Sequence, residues 1–290
     1  MRVGLVGLVA LLVGASATTD PVPLRWKLSK GDQFFARSVQ EMDQTIGVLG
    51  MNKEVKNTTT TVVRYKVLEA GADGLTLEQT IQKVEVTGEN PGGADQADKM
   101  KGATLTFKLD KELKVTELVG YDAYVEKLSG GSPEQAQVMR AAANEDTLKV
   151  AVQDLLSPGP AGPVKPGDKW TRETKLALGP LGNFTVTARY TLDGLDGPLA
   201  KVSYDADAKF AAGKGGEGGL PFQITKGELK ADKYDGTLKF DTAAGRLRET
   251  AQTVKLNGTL TVSAGGMEIE LTLNQSIKVT GTVTDKDPGD

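Results

Sequence analysis

The stretch Met267-Glu268-Ile269-Glu270-Leu271-Thr272-Leu273-Asn274-Gln275-Ser276-Ile277-Lys278-Val279-Thr280-Gly281-Thr282-Val283 decides how this chain folds. Nearly every odd position is apolar and every even one polar. A helix, with its period of 3.6, would mix the two sets on each face. A strand sends alternate side chains to opposite faces and keeps the sets apart. The stretch therefore reads as one long strand of an antiparallel sheet, greasy on one side and wet on the other.

The same rhythm runs outward through the chain. Val254, Leu256, Leu260 and Val262 alternate with Thr253, Lys255, Asn257, Thr259 and Thr261. Phe184, Val186, Ala188, Tyr190 and Leu192 share a parity, as do Val202, Tyr204, Ala206, Ala208 and Phe210. In the first half, Ala103, Leu105, Phe107 and Leu109 alternate with Thr104, Thr106 and Lys108, and Phe34, Ala36, Met42, Ile46 and Val48 share one face. Gly71-Ala72-Asp73-Gly74, Asp193 to Gly197 and Ala264-Gly265-Gly266 supply the positive-φ residues that hairpins need. Apolar parity switches between Leu77 and Val84, which predicts a bulge near Ile81. The polar or glycine-rich segments Glu89 to Lys99 and Gly213 to Gly219 are expected as loops.

One region departs from period two. Ser132-Pro133-Glu134-Gln135 has the Ser cap, first-turn Pro and Gln of a helix start. Asn144-Glu145-Asp146 opens a second helix carrying Leu148, Ala151, Val152, Leu155 and Leu156 on one side, and a shorter amphipathic piece spans Tyr121 to Leu128. The expected fold is mainly β: two similar curved antiparallel halves, half-barrel or sandwich-like, over residues 18–120 and 161–284. A helical connector or lid over 121–160 joins them, and a polar tail follows at 285–290.

The halves resemble each other. Lys30-Gly31-Asp32-Gln33-Phe34 opens the first, and Pro166-Gly167-Asp168-Lys169-Trp170 the second. Each later has a Gly-led strand, from Gly102 and from Gly236, and a returning strand. The similar Asp-to-Gly spacing suggests duplication. Gly31, Asp32, Gly167 and Asp168 are read as turn residues, each Asp bonding nearby backbone. Trp26, Phe34 and Trp170 are read as packing aromatics.

At the N-terminus, Arg2, the apolar run Val3 to Val13 and the small-x-small triplet Ala15-Ser16-Ala17 have the order of a cleavable signal peptide, residues 1–17. The run is too short to anchor in a bilayer, and the mature chain has no membrane-spanning segment by hydropathy. Export without a single cysteine fits a bacterial periplasmic or extracellular envelope protein. The signal, the Lys-x-Gly-Asp-x-aromatic turn, the mid-chain helices, the Pro-rich connector and Val164 to Trp170 together resemble an uncharacterised exported β-rich family abundant in planctomycete-type bacteria. That resemblance implies export and β architecture, and it brings no activity and no functional residue.

Histidine and cysteine are both absent from the 290 residues. Imidazole bases, thiol nucleophiles, disulfides and thiolate or imidazole metal sites are thereby excluded. A net charge of −3 gives no support to nucleic-acid binding. Gly213-x-Gly215-x-x-Gly218 matches a dinucleotide fingerprint only as text, because a β pattern rather than a helix follows it. Asp285 to Asp290 is too short for a calcium loop. Asp205 with Asp207, and Glu268 with Glu270, lie on wet parity as solvated carboxylates. The sequence names no catalytic residue, metal ligand or cofactor. The expected function is a non-enzymatic envelope module for binding or scaffolding, able to hold an apolar ligand in its curved sheet. Its partner is then a protein or a hydrophobic small molecule. The alternatives are a structural surface protein that makes protein contacts and a histidine-independent carboxylate hydrolase.

Overall fold

The computed structural model describes residues 20–89, 93–177, 182–213, 222–264 and 266–288. The expected signal peptide and most of Gly213 to Gly219 lie outside them. Eleven strands form: β1 Gln33–Val48, β2 Met51–Gly71, β3 Gly74–Gly88, β4 Thr104–Asp110, β5 Val115–Val119, β6 Lys169–Ala177, β7 Asn183–Asp196, β8 Leu199–Ala211, β9 Phe222–Asp241, β10 Arg246–Ala264 and β11 Met267–Thr284. Four helices accompany them among the described residues: α1 Gly93–Met100, α2 Tyr121–Ser129, α3 Pro133–Ala142 and α4 Glu145–Leu156. The alternation in Met267 to Val283 is thus the pleat of β11. The parity switch is a bulge at Gln82, since Val62 faces Lys83 while the next residue, Val63, faces Ile81. Helix starts follow their caps: Ser132 Oγ accepts from Gln135 N at 3.3 Å, and Asn144 Oδ1 from Thr147 N at 2.9 Å.

All eleven strands belong to one antiparallel sheet in the order β5-β4-β3-β2-β1-β11-β10-β9-β8-β7-β6. The two meanders are joined in one sheet, because β1 and β11 form an unbroken ladder from Phe35↔Thr284 to Val48↔Leu271. The sheet does not close, as β5 and β6 remain its edges. Laid flat, ten interstrand gaps would hold those edges about 48 Å apart. Yet neighbouring residues of α4 reach both. Gln153 Oε1 accepts from Val115 N of β5 at 2.8 Å, and Asp154 pairs with Arg172 of β6 at 3.3 Å. The sheet is therefore curled, with α4 standing in the gap.

The core fills the concave side near α4, where Phe34, Phe107 and Phe240 are fully buried and Val152 and Leu156 of α4 join them. The N-terminal segment crosses this end. Trp26 Nε1 donates to Leu155 O at 3.0 Å, Val22 bridges to Val164, and Arg246 binds Asp32 at 3.0 Å beside the Trp26 ring.

Two expectations need correction. The segment Glu89 to Lys99 contains α1, whose buried Ala97 gives the polar, Gly-rich stretch one packed face. Gly102 and Gly236 are not equivalent either. Gly102 sits in the turn before β4 with φ +72, while Gly236 lies inside β9 opposite Tyr204 and Gln252. The likeness is better carried by Thr106-Phe107-Lys108-Leu109-Asp110 and Thr237-Leu238-Lys239-Phe240-Asp241. Asp110 Oδ1 accepts from Glu112 N and Lys114 N, and Asp241 Oδ1 from Ala244 N.

The β1–β2 hairpin closes through a two-residue turn, Leu49 (φ 50) and Gly50 (φ 80), with positive φ at both positions. Leu is a poor resident there because its Cβ crowds the following carbonyl, and its side chain is 80% exposed, so packing gives nothing back. Leu49→Asn should stabilise the protein by about 1 kcal/mol, raising the midpoint of thermal unfolding by roughly 2–4 °C in calorimetry.

Candidate binding cavity

Where the C-terminal turn of α4 lies over the sheet, the strands beneath it carry small residues. Ser38 of β1 faces Gly281 of β11, which faces Thr250 of β10, and Ala36 faces Val283 in the neighbouring row. Side chains this short cannot reach the helix. A cavity of about 300 Å³ remains, walled by Asp154, Leu155 and Pro158 on the helical side and by sheet residues including Ala188, Leu238, Leu247 and Val279.

An aromatic and polar wall completes it. Tyr190, Tyr204 and Tyr234 line the cavity from β7, β8 and β9. Tyr190 stacks on Trp170 at 5.4 Å and lies 5.1 Å from Tyr204. Tyr204 Oη donates to Gln252 Oε1 at 2.9 Å, and Gln252 also meets the Tyr234 hydroxyl. Gly236 is required beside this cluster, since a Cβ there would sit 2.5 Å from the Tyr204 ring and from the Ala251 carbonyl. Burial pushes the hydroxyl pKa of Tyr204 and Tyr234 up, so both stay protonated and available as hydrogen-bond groups.

Arg172 anchors the mouth. Its Nη1 donates to Ser157 O at 2.6 Å, its Nη2 donates to Tyr190 Oη at 3.1 Å, and its guanidinium lies 5.5 Å over the Tyr190 ring. The Asp154 side chain lines the cavity and keeps 44% of its surface exposed. Burial holds its carboxyl above the usual carboxylate range, with the Arg172 charge pulling the other way.

The residues singled out from sequence fall around this site rather than in it. At the first turn, Asp32 Oδ2 accepts from Ser29 N at 2.9 Å and Gly31 N donates to Val67 O at 2.9 Å. At the second, Asp168 Oδ2 accepts from Lys165 N at 2.9 Å and Gly167 N donates to Leu192 O at 2.8 Å. Both glycines have φ +90. Trp26 and Phe34 are buried with their rings 4.7 Å apart. Trp170 is half-buried and backs the cavity through Tyr190. Asp205 and Asp207 are exposed and share Arg189. Glu268 and Glu270 are exposed, and Asp285 pairs with Arg246 and Arg248. Among the described residues no acidic group is arranged to hold a metal ion, and no helix is long and apolar enough to cross a membrane. Sequence reading missed Asp154, Arg172 and the three tyrosines as a group. One signal was there: Arg172 interrupts the apolar parity of Trp170 and Leu176.

A family model described as a family of unknown function, DUF6263, matches residues 56–247. The chain belongs to DUF6263. That match spans β2 to the start of β10, and so includes α4, Arg172 and all three cavity tyrosines. Comparison with curated proteins found no match. Solved structures similar to this DUF6263 chain include an outer membrane channel from Pseudomonas putida F1, at 8% identity over 92% of this chain and 100% of that one, with a TM-score of 0.24. The outer membrane protein OprG from Pseudomonas aeruginosa matches at 6% identity over 88% and 97%, with a TM-score of 0.18. A DUF1329 family protein from Desulfovibrio piger matches at 12% identity over 85% of each chain, with a TM-score of 0.16. Scores this low support no conclusion about shared fold or function.

The Asp154 environment makes a pH prediction. Because the native state penalises its ionised form, this group favours folding fully only below its unfolded value near 3.8, and that contribution is lost as pH rises through the raised native value. Asp154→Asn removes the titration. The variant should be at least as stable as the wild type at pH 7, with its relative advantage shrinking to nothing by about pH 3 in denaturant titrations across that range.

Proposed function

We propose that this DUF6263 chain is a non-enzymatic, exported cell-envelope binding module that holds an apolar or amphipathic small molecule between α4 and the concave face of the sheet. The observation that carries the reading is the 300 Å³ cavity, mostly hydrocarbon in its lining with a few polar groups gathered on one wall. Ligand sites have this composition: apolar surface supplies affinity and a few placed polar groups fix orientation. Volume of about 300 Å³ or more is usual for them. The ionisable pair in the wall, Asp154 and Arg172, is mutually neutralised, and the tyrosine hydroxyls are engaged with Arg172 and Gln252. That arrangement suits recognition better than turnover. The two matched Gly-Asp turns further support descent of the two halves from one duplicated unit.

The alternative of an envelope protein that pairs strands with partners through its sheet edges is weakened by α4. Gln153 occupies Val115 N of β5, and the inward-pointing Arg172 of β6 is spent on the helix. Edges engaged in this way are poor templates for another strand.

The test is to fill the space. Ala188→Leu adds three carbons to a buried position of the cavity wall and should lower affinity for an environment-sensitive naphthylamine dye at least tenfold, read by fluorescence titration. The melting temperature should stay within a few degrees of wild type. No dye binding by the wild type, together with no organic-extractable ligand in purified protein, would reject the reading.

A further inference from the structure

The cavity is not sealed, and what lies beyond its mouth is unusual for a sheet surface. Past Val279, which lines the cavity, the inner face of β11 continues through Ile277, Gln275, Leu273, Leu271 and Ile269 toward the hairpin tip, its one polar member, Gln275, donating to Met42 Sδ of β1. Val254, Leu260 and Val262 stand beside Ile277, Leu271 and Ile269 on β10. These side chains of β11 are half-buried and lie outside the contiguous core cluster. Among the described residues the helices pack principally against β3 to β6, away from this face. The trough runs ten residue steps from Val279 to Ile269, about 34 Å at strand rise. At its far end are three large exposed apolar side chains on adjacent hairpin tips: Leu49 at 80%, Met51 at 71% and Met267 at 67%.

Charge identifies what fits. Between the cavity and the tips, no inner position of β10 or β11 carries a charged residue, whereas the outer positions hold Lys255, Glu268, Glu270 and Lys278. On the β1–β2 side the inner positions mix the uncharged polar Gln40, Gln44, Asn57 and Thr59 with apolar residues, and Lys53 opposite Ile46 near the tip is their one charge. A folded protein partner would bring several ion pairs and find only the tip residue Lys53 to meet them. A hydrocarbon chain needs none. The trough is also continuous with the cavity and far longer than a compact ligand needs.

Resting on the cavity's being a ligand site, we propose that trough and cavity together bind one long-chain amphiphile of the fatty-acid or lysolipid class, its hydrocarbon lying along the inner face of β10 and β11. The ligand is therefore selected by chain length and not by a compact shape.

The experiment is dye displacement by straight-chain fatty acids from eight to eighteen carbons, with lysophosphatidylcholines of matched chain length in parallel, below their micellar concentrations. Affinity should rise up to about fourfold for each added methylene and keep rising to sixteen carbons. If the fatty acids bind and the lysolipids do not, the head is a carboxylate; equal binding makes the hydrocarbon alone the determinant. The double variant Ile277→Gln, Leu271→Gln should lose at least tenfold for the sixteen-carbon ligand while binding the eight-carbon ligand within twofold of wild type. A plateau by ten carbons overturns the trough proposal and leaves the cavity reading intact. Failure to bind at any length removes both. A wild-type dimer in sedimentation that the double variant converts to monomer shows a second copy covering the trough, and also overturns the proposal. Should the double variant fail to fold, the wild-type chain-length series decides alone.

Discussion

Everything distinctive about this molecule follows from the ladder between its first strand and its last. A meander grows outward from wherever it starts. With β1 and β11 paired in the middle, the two meanders grow in opposite directions and finish at β5 and β6. Those two edges are consecutive in sequence, separated only by the helical segment. That segment must travel from one edge of the sheet to the other, and the concave face is the surface it crosses. α4 thus reaches the gap by topology, and Gln153 and Arg172 then fix it there. Gln153 takes up a backbone N–H of one edge and Arg172 places an inward-pointing charge on the other, which blunts the strand pairing an open sheet would otherwise invite. Curl, covered edges and a space beneath the helix are therefore one arrangement.

Much of the fold was legible because it is local. Strict alternation in Met267 to Val283 gives β11, Ser132-Pro133 and Asn144 give two helix starts, and the parity switch gives the bulge to within one residue. The Gly31-Asp32 and Gly167-Asp168 pairs were also readable, since an Asx turn needs only residues three apart. What escaped is non-local. The pairing of Phe35 with Thr284 spans almost the whole chain, and no periodicity within either strand announces it. Two halves of one sheet and two separate sheets leave the same alternation in the sequence. α1 escaped for another reason: its polar residues and preceding glycines match a loop, and only the packing of one face against β3 orders it.

The candidate site was harder to see, and the reason is physical. A cavity is defined by side chains that fall short, and Ser38, Gly281 and Ala36 look in sequence like ordinary members of Thr- and Gly-rich strands. Tyr190 and Tyr204 obeyed the core parity and so were indistinguishable from filler. Their role comes from meeting Tyr234 and Gln252 across two further strands. The tryptophans drew notice for size, yet Trp26 serves the site only at second hand, by holding the Leu155 carbonyl. A charged residue on greasy parity, Arg172, was the readable sign.

Stability alone would not leave this space. By the penalty for unfilled core volume, ~24 cal/mol per Å³, a dry void of that size would cost several kcal/mol, comparable with the whole stability of many domains. Openness to solvent relieves part of that cost by admitting water, though water against mostly apolar walls is itself poorly held. Elsewhere the same chain packs closely, with Phe34, Phe107, Phe240, Leu77 and Leu192 fully buried. Larger residues at Ser38, Ala36 and Ala188 together would narrow the gap without a change of backbone. A sequence that fills its core with phenylalanine at one end of a sheet and keeps serine, alanine and glycine under the helix beside it is accommodating something other than itself. The long apolar faces of β10 and β11 extend that argument, because among the described residues they too remain greasy beyond the reach of the helices.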